Sequence, residues 1–268
     1  MRIGTNISAL NAVNRLNKVT AKLAKNSAQL SSGKRIVSAA DDAAGLAIAE
    51  QIGAIARLER KAQDNIGVGV SAISIAEGTL QTVSDIDIRR AELSQQAANG
   101  SLSPSQRESL DAEYQELGAE KDRVLASASF NGTPLFENGG ATFSVQVGTS
   151  GGANDQISVA ISTPSSGGGN LLTQAAAQAA LDDSKAQIAS TAEASGKLGA
   201  FTSRLSVADS NLAVSSLNNA AAESQIRDLD IAQGVTERSG LLIQQQASLA
   251  VAAQANQLPA SVMRLLRG

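Results

Sequence analysis

The sequence predicts a mainly α fold: long antiparallel helices in a bundle or coiled coil made from both chain ends, with a small β-hairpin between them. Three observations carry that expectation. The 268 residues hold only four prolines, Pro104, Pro134, Pro164 and Pro259, so residues 1–103 and 165–258 contain none. Long helices need such stretches, because an interior proline removes a hydrogen bond and clashes with the preceding turn. Apolar residues recur there in alternating three- and four-residue steps. Finally, the 43% apolar content is mostly Ala, Leu, Ile and Val, with aromatics at 2%, which suits slender, closely approaching helices. A chain of this length buries a real core as one large domain or two small ones.

Taken in order, Ala9, Ala12, Leu16, Val19, Leu23, Asn26 and Leu30 form a first seam with one polar interruption. Gly33 stands where that helix should stop, a position that commonly requires φ > 0. Ser38-Ala39-Ala40-Asp41 has the form of a capping box that opens the next helix. A longer seam follows through Ile48, Ile52, Ile55, Glu59, Ala62, Ile66, Gly69, Ile73, Ala76, Leu80 and Val83. Ser103-Pro104-Ser105-Gln106 caps a shorter helix with Leu110, Tyr114, Leu117 and Val124 on its inner face. Beyond Ala128 the period becomes two: Phe143, Val145 and Val147, then Ile157, Val159 and Ile161, flank a turn-rich segment and predict a hairpin. Ser165–Asn170 reads as a flexible Gly-rich connection. Helix resumes near Thr173, with Leu198, Phe201, Leu205, Ala208 and Leu212 as its seam, and Ile231, Val235, Leu242, Leu249 and Ala252 form a terminal stripe.

Composition excludes much chemistry. With no His and no Cys, the chain has no Ser-His or Cys-His nucleophile pair, no imidazole base, no disulfide and no thiolate–imidazole zinc site. The pairs Asp41-Asp42 and Asp182-Asp183 diverge on a helix, so capping explains the first better than catalysis does. The Gly-rich 167–169 stretch lacks a phosphate-loop frame. No enzyme activity and no cofactor or metal are expected. Residues 1–36 carry seven basic residues and no acid, leaving −10 elsewhere within a net −3. Such an arm has the composition of a transit peptide. It lacks the interleaved aromatics of a nucleic-acid binder, so no nucleic acid is expected as a partner. No run approaches the ~18 apolar residues of a membrane span, so no membrane insertion is expected. Each terminal stripe alone is a marginal helix; pairing them buries one stripe each, and burying the rest requires neighbouring copies.

Asn6–Ala12, Leu30–Ile36 and Ser38–Ala49 near the start closely resemble bacterial flagellins, as do Gln246-Ala247, Ala253–Pro259 and Val262–Leu266 near the end. Ala76–Leu80, Asp122–Val124, Phe130–Gly132 and Ser203–Leu205 extend the resemblance along nearly the whole chain. It implies an inner helical domain from residues 1–42, including a spoke (Gly33, Ser38, Asp41), and 231–268. Residues 43–230 would form an outer domain of long helices plus the hairpin, at about 130–162. It implies a structural subunit that polymerises with itself into the flagellar filament for motility. Subunit assembly would run through Ile3, Ile7, Leu10, Leu16, Leu23, Leu30, Ile231, Val235, Leu242, Leu249, Leu258 and Leu265. The implied partners are the flagellar type III export apparatus, an export chaperone, and the filament cap and hook-junction proteins, with the N-terminal region retained and the product secreted.

Arg89, Glu92 and Leu93, with Gln96 one turn on, match a flagellin helix that a host Toll-like receptor recognises, and Glu113 matches a contact on the adjacent helix. Asp87 stands where the family usually has Leu, and Arg90-Ala91 replaces an apolar-then-Arg pair. The resemblance therefore implies a copy-to-copy contact first and a receptor epitope of reduced strength. Two alternatives share parts of the pattern. The related hook-filament junction protein shares both terminal signatures, and a soluble signalling coiled coil shares only the heptads.

Overall fold

The computed structural model describes residues 6–265, apart from the side chains of Asn138 and of residues 258–265. In chain order it runs α1 (Ile7–Ser32), α2 (Ala43–Ala97), α3 (Pro104–Ser127), β1 (Ser129–Phe130), β2 (Thr133–Pro134), β3 (Thr142–Gln146), β4 (Gln156–Ala160), α4 (Gln174–Arg227) and α5 (Ile231–Leu265). Contacts divide it into two compact units, residues up to 54 with those from 218 onward, and residues 55–217. The divisions fall inside α2 and α4, whereas the expected inner–outer boundaries stand at the helix ends, 42/43 and 230/231.

In the 55–217 unit the α2 seam is buried from Glu59 to Val83, and Leu198 and Leu205 of α4 join it in one apolar core. Each such aliphatic contributes about 1.5–3 kcal/mol on burial. α3 begins as its residues dictate. The Ser103 hydroxyl accepts from the Gln106 N–H, and the Gln106 side chain accepts from the Ser103 N–H. Tyr114 is fully buried, in a second cluster with Leu93, Ala97, Leu171, Ala177 and Ala180. β3 and β4 pair antiparallel with Phe143 opposite Val159 and Val145 opposite Ile157, so the alternating apolar residues share one face, and that face closes the first core. The tiny β1–β2 pair has no counterpart in the sequence pattern, since two-residue strands carry no period.

Two expectations are corrected. Residues 165–169 are not a free linker: Lys121 donates to the Ser165 carbonyl at 2.9 Å, Arg90 to that of Gly167 at 3.2 Å and Gln115 to that of Gly169 at 2.8 Å. Glycine-rich composition there reflects close approach; a Cβ on Gly167 would overlap the Gln187 and Asp183 side chains. Second, Ser38–Asp41 does not cap α2. It is a turn, and the cap is Asp42, whose carboxylate accepts from the Gly45 N–H at 2.8 Å.

That turn has its own chemistry. The Asp41 carboxylate pairs with Lys25 of α1 at 2.7 Å and accepts from the Val37 and Ser38 N–H groups. The Lys25 hydrogen bond, then the two backbone donors, lower its pKa from 3.8 to about 2. A depressed carboxylate stabilises the fold above its unfolded pKa and loses that contribution as pH falls through the folded value. Asp41→Asn should therefore be less stable than the parent at pH 5–7, and the difference should vanish as pH falls from about 4 to 2. A pH series of melting curves checks it.

Gly33 terminates α1 at φ 68° in the left-handed region. Its carbonyl accepts from the Leu229 N–H, and a single bridge joins Lys34 to Asp228. No atom lies within 4 Å of where a Cβ would sit, so dihedral strain and not crowding is what a side chain would meet. Gly33→Val should cost ~1–3 kcal/mol and distort or abolish the filaments that the resemblance implies. Gly33→Asn, which tolerates this φ, should cost less. Electron microscopy of both variants distinguishes strain from mere loss of glycine.

Candidate assembly surface

α1 and α5 lie antiparallel. The Asn6 side chain donates to the Ala255 carbonyl at 2.7 Å at one end, and the Asn26 side chain to the Gly234 carbonyl at 3.2 Å at the other. Burial along α1 follows the predicted steps: Ala9, Ala12, Leu16, Val19, Leu23, Asn26 and Leu30 are all buried or half-buried. Asn26 is the polar interruption, and a buried amide bonded across the pair fixes its register.

On α5 the stripe differs from the expected one. The packed positions are Gly234, Gly240, Leu241, Gln245, Ser248, Ala252 and Ala255. Of the predicted stripe only Ala252 belongs to it; Ile231, Val235, Leu242 and Leu249 are all exposed. Val235, Leu242 and Leu249 stand one residue later than Gly234, Leu241 and Ser248, and one residue turns a helix by about 100°, enough to move them off the seam. The physical reason is size. A Cβ on Gly234 would already lie 3.0 Å from Leu30, so the close seam takes mostly Gly, Ser, Ala and Gln, and most bulky aliphatics point outward.

The assembly residues therefore separate into two groups. Leu16, Leu23 and Leu30 are half-buried against α5. Ile7 and Leu10 are exposed by 65% and 57%, and with Val13 they form an outward face on α1. Ile231, Val235, Leu242 and Leu249 form its counterpart on α5, and Ile243 and Val251 are exposed on other sides of that helix. Ile3 lies outside the described residues, as do the side chains of Leu258 and Leu265. The 55–217 unit adds outward aliphatics that the seam analysis passed over, among them Val68, Ile75, Val207 and Val214. Their seven-residue spacing, off the seam, is the signal that would have found them. Exposed aliphatics in series, not singly, mark an interaction surface.

The candidate receptor face is split. Arg89 donates to Glu113 at 2.8 and 2.9 Å and to Glu92 at 3.2 Å, and all three with Gln96 are exposed. Leu93 is not on that face: at 1% exposure it packs in the Tyr114 cluster. An i, i+4 relation to Arg89 does not guarantee a shared environment at the edge of a core.

The family model of the bacterial flagellin N-terminal helical region matches residues 3–141, and that of the C-terminal helical region matches residues 181–266. The chain belongs to the bacterial flagellin family. A flagellin of Halalkalibacterium halodurans is 36% identical, with all of both chains covered. The flagellar filament 30.7 kDa core protein of Treponema maltophilum is 35% identical, over 99% of this chain and all of its own. Among solved structures, Bacillus cereus flagellin superposes with a TM-score of 0.51 at 25% identity, covering 56% of this chain and 88% of that one. As a flagellin, the chain is a structural subunit of the bacterial flagellar filament. Its outward aliphatics are thus on a molecule that polymerises.

Proposed function

We propose that copies of this flagellin join through the outward faces of α1 and α5, in a structural and not a catalytic role. The observation that carries this reading is the inversion on α5: Ile231, Val235, Leu242 and Leu249 face outward while Gly234, Ser248, Ala252 and Ala255 lie in the seam. A free-standing helical pair has no use for that arrangement; a pair enclosed by other copies does. The unit of residues up to 54 and from 218 is the inner domain in this reading, and 55–217 the outer one. The same reading includes secretion to the cell exterior by the flagellar type III apparatus with an export chaperone, and contacts with the cap and hook-junction proteins at the filament ends. Arg89, Glu92, Gln96 and Glu113 form a contact between copies, and an epitope of reduced strength for a host Toll-like receptor. The burial of Leu93 and the engagement of Arg89 by two glutamates support that ranking.

The test is deletion of residues 1–35 or 240–268. Each removes one member of the pair and exposes the seam of the other. Neither protein should polymerise. Filaments of normal diameter from either deletion overturn the reading.

A further inference from the structure

Past Val83 the α2 seam continues in step as Asp87, Arg90, Ser94 and Ala97, and past Leu198 the α4 seam runs back through Ala194, Thr191, Gln187 and Ser184. Both turn polar together, and Lys121 of α3 completes the layer. Three full charges are buried here: Asp87 at 0%, Lys121 at 1% and Arg90 at 3% exposure. Lys121 is satisfied. Its ammonium reaches both Asp87 oxygens at 2.9 and 3.1 Å, the Ser165 carbonyl at 2.9 Å and the Gln187 side-chain oxygen at 2.9 Å.

Arg90 is not. The groups that accept from it are neutral, the Gln187 oxygen at 3.1 Å and the Gly167 carbonyl at 3.2 Å, and the first is shared with Lys121. The Tyr114 ring lies 4.1 Å below the guanidinium, and Nε, fully buried, has no partner among the described residues. The fully buried part of the layer thus holds two cations and one anion, a costly state; the half-buried Asp183 carboxylate meets it through Gln187, accepting from Nε2 at 2.8 Å, and makes no ion pair with Arg90. Beside Arg90 lies a cavity of about 280 Å³ between α3 and the 165–169 strap, lined by Arg90, Lys121, Gly118, Ser166, Gly167 and Gly168. The glycines leave the guanidinium open to it; even a Cβ on Gly118 would stand 3.6 Å from Nη2. Asp122 is the carboxylate among the lining residues; it is exposed to solvent and makes no ion pair with Arg90.

We propose that this cavity binds a small oxyanion, with the Arg90 guanidinium as its principal ligand. A guanidinium offers paired N–H donors that match the oxygen spacing of a carboxylate or phosphate. That chemistry has two sources: a free inorganic anion, or a carboxylate side chain of a neighbouring copy.

The probe is inorganic phosphate, titrated against full-length monomer at constant ionic strength with chloride as the balance, and followed by calorimetry and melting temperature. Phosphate also raises melting temperatures by general exclusion from protein surface, but that effect grows without saturating and is common to all variants. The expected result is a saturable single site in the parent and a loss of roughly tenfold or more in affinity in Arg90→Met. Methionine fills the space over Tyr114 without a charge, so the variant is expected to fold. Ala119→Glu, at an exposed lining position, should abolish binding with Arg90 intact by placing a like charge at the mouth. No saturable binding by the parent overturns the proposal, as does undiminished binding by either variant. Given binding by monomer, filaments that still bind phosphate identify the free anion as occupant, and filaments that do not identify a neighbour's carboxylate.

Discussion

Aspartate at Leu242 should abolish filament formation while leaving the circular dichroism of the monomer unchanged. Leu242 is exposed on the outward stripe of α5, one residue away from buried Leu241. In a polymer, the substitution removes an aliphatic worth about 1.5–3 kcal/mol on burial and buries an unpaired carboxylate costing several more. A loss of roughly 4–7 kcal/mol per contact raises the concentration needed for assembly by about 10³–10⁵. Val235→Asp and Leu249→Asp, on the same stripe, should behave alike. Leu241→Ala should do the opposite, weakening the α1–α5 pair itself by about 2–5 kcal/mol. Sedimentation of polymer and circular dichroism of monomer separate the two kinds. Normal filaments from Leu242→Asp would remove the outward stripe from the assembly surface.

The contrast between Leu241 and Leu242 also marks how far the sequence could be read. Periodicity located the α1 seam and the buried run of α2 because the longest unbroken three-four repeat of each helix is also its buried one, although aliphatics such as Leu10, Val68 and Ile75 stand outside it. On α5 two phases compete. Glycine, serine, alanine and glutamine carry most of the packed phase, and large aliphatics carry the exposed one, so ranking by hydrophobicity selects the wrong stripe. The polar layer at Asp87, Arg90, Lys121 and Gln187 was illegible for a related reason. A seam written in charged residues keeps its spacing but loses its apolar signature, and the pairing of Asp87 with Lys121 spans 34 residues. Local caps fared unevenly. The Ser103–Gln106 box formed as spelled, whereas Ser38–Asp41 lost its role to Asp42 because Lys25, distant in sequence, holds Asp41 in a turn.

The layer gives the second large effect. Lys121→Met should destabilise the 55–217 unit by about 3–5 kcal/mol, because it leaves the Asp87 carboxylate fully buried with the Thr191 hydroxyl, at 3.3 Å, in place of a cation. It also frees the Ser165 carbonyl and so loosens the strap. For a unit of this size the melting temperature should fall by roughly 6–20 °C. Removing both charges is a different experiment. Asp87→Leu with Lys121→Met replaces a desolvated ion pair by apolar side chains one turn from Val83, and such replacements are often neutral or stabilising. The double variant should therefore recover most of the loss, a coupling of ~2 kcal/mol or more between sites that touch. Equal instability in the single and double variants would show that Lys121 acts through the strap and not through Asp87. The recovery also bears on Arg90: with the Asp87–Lys121 pair gone, Arg90 is the remaining buried charge of the layer, and its demand for an external anion should persist unchanged.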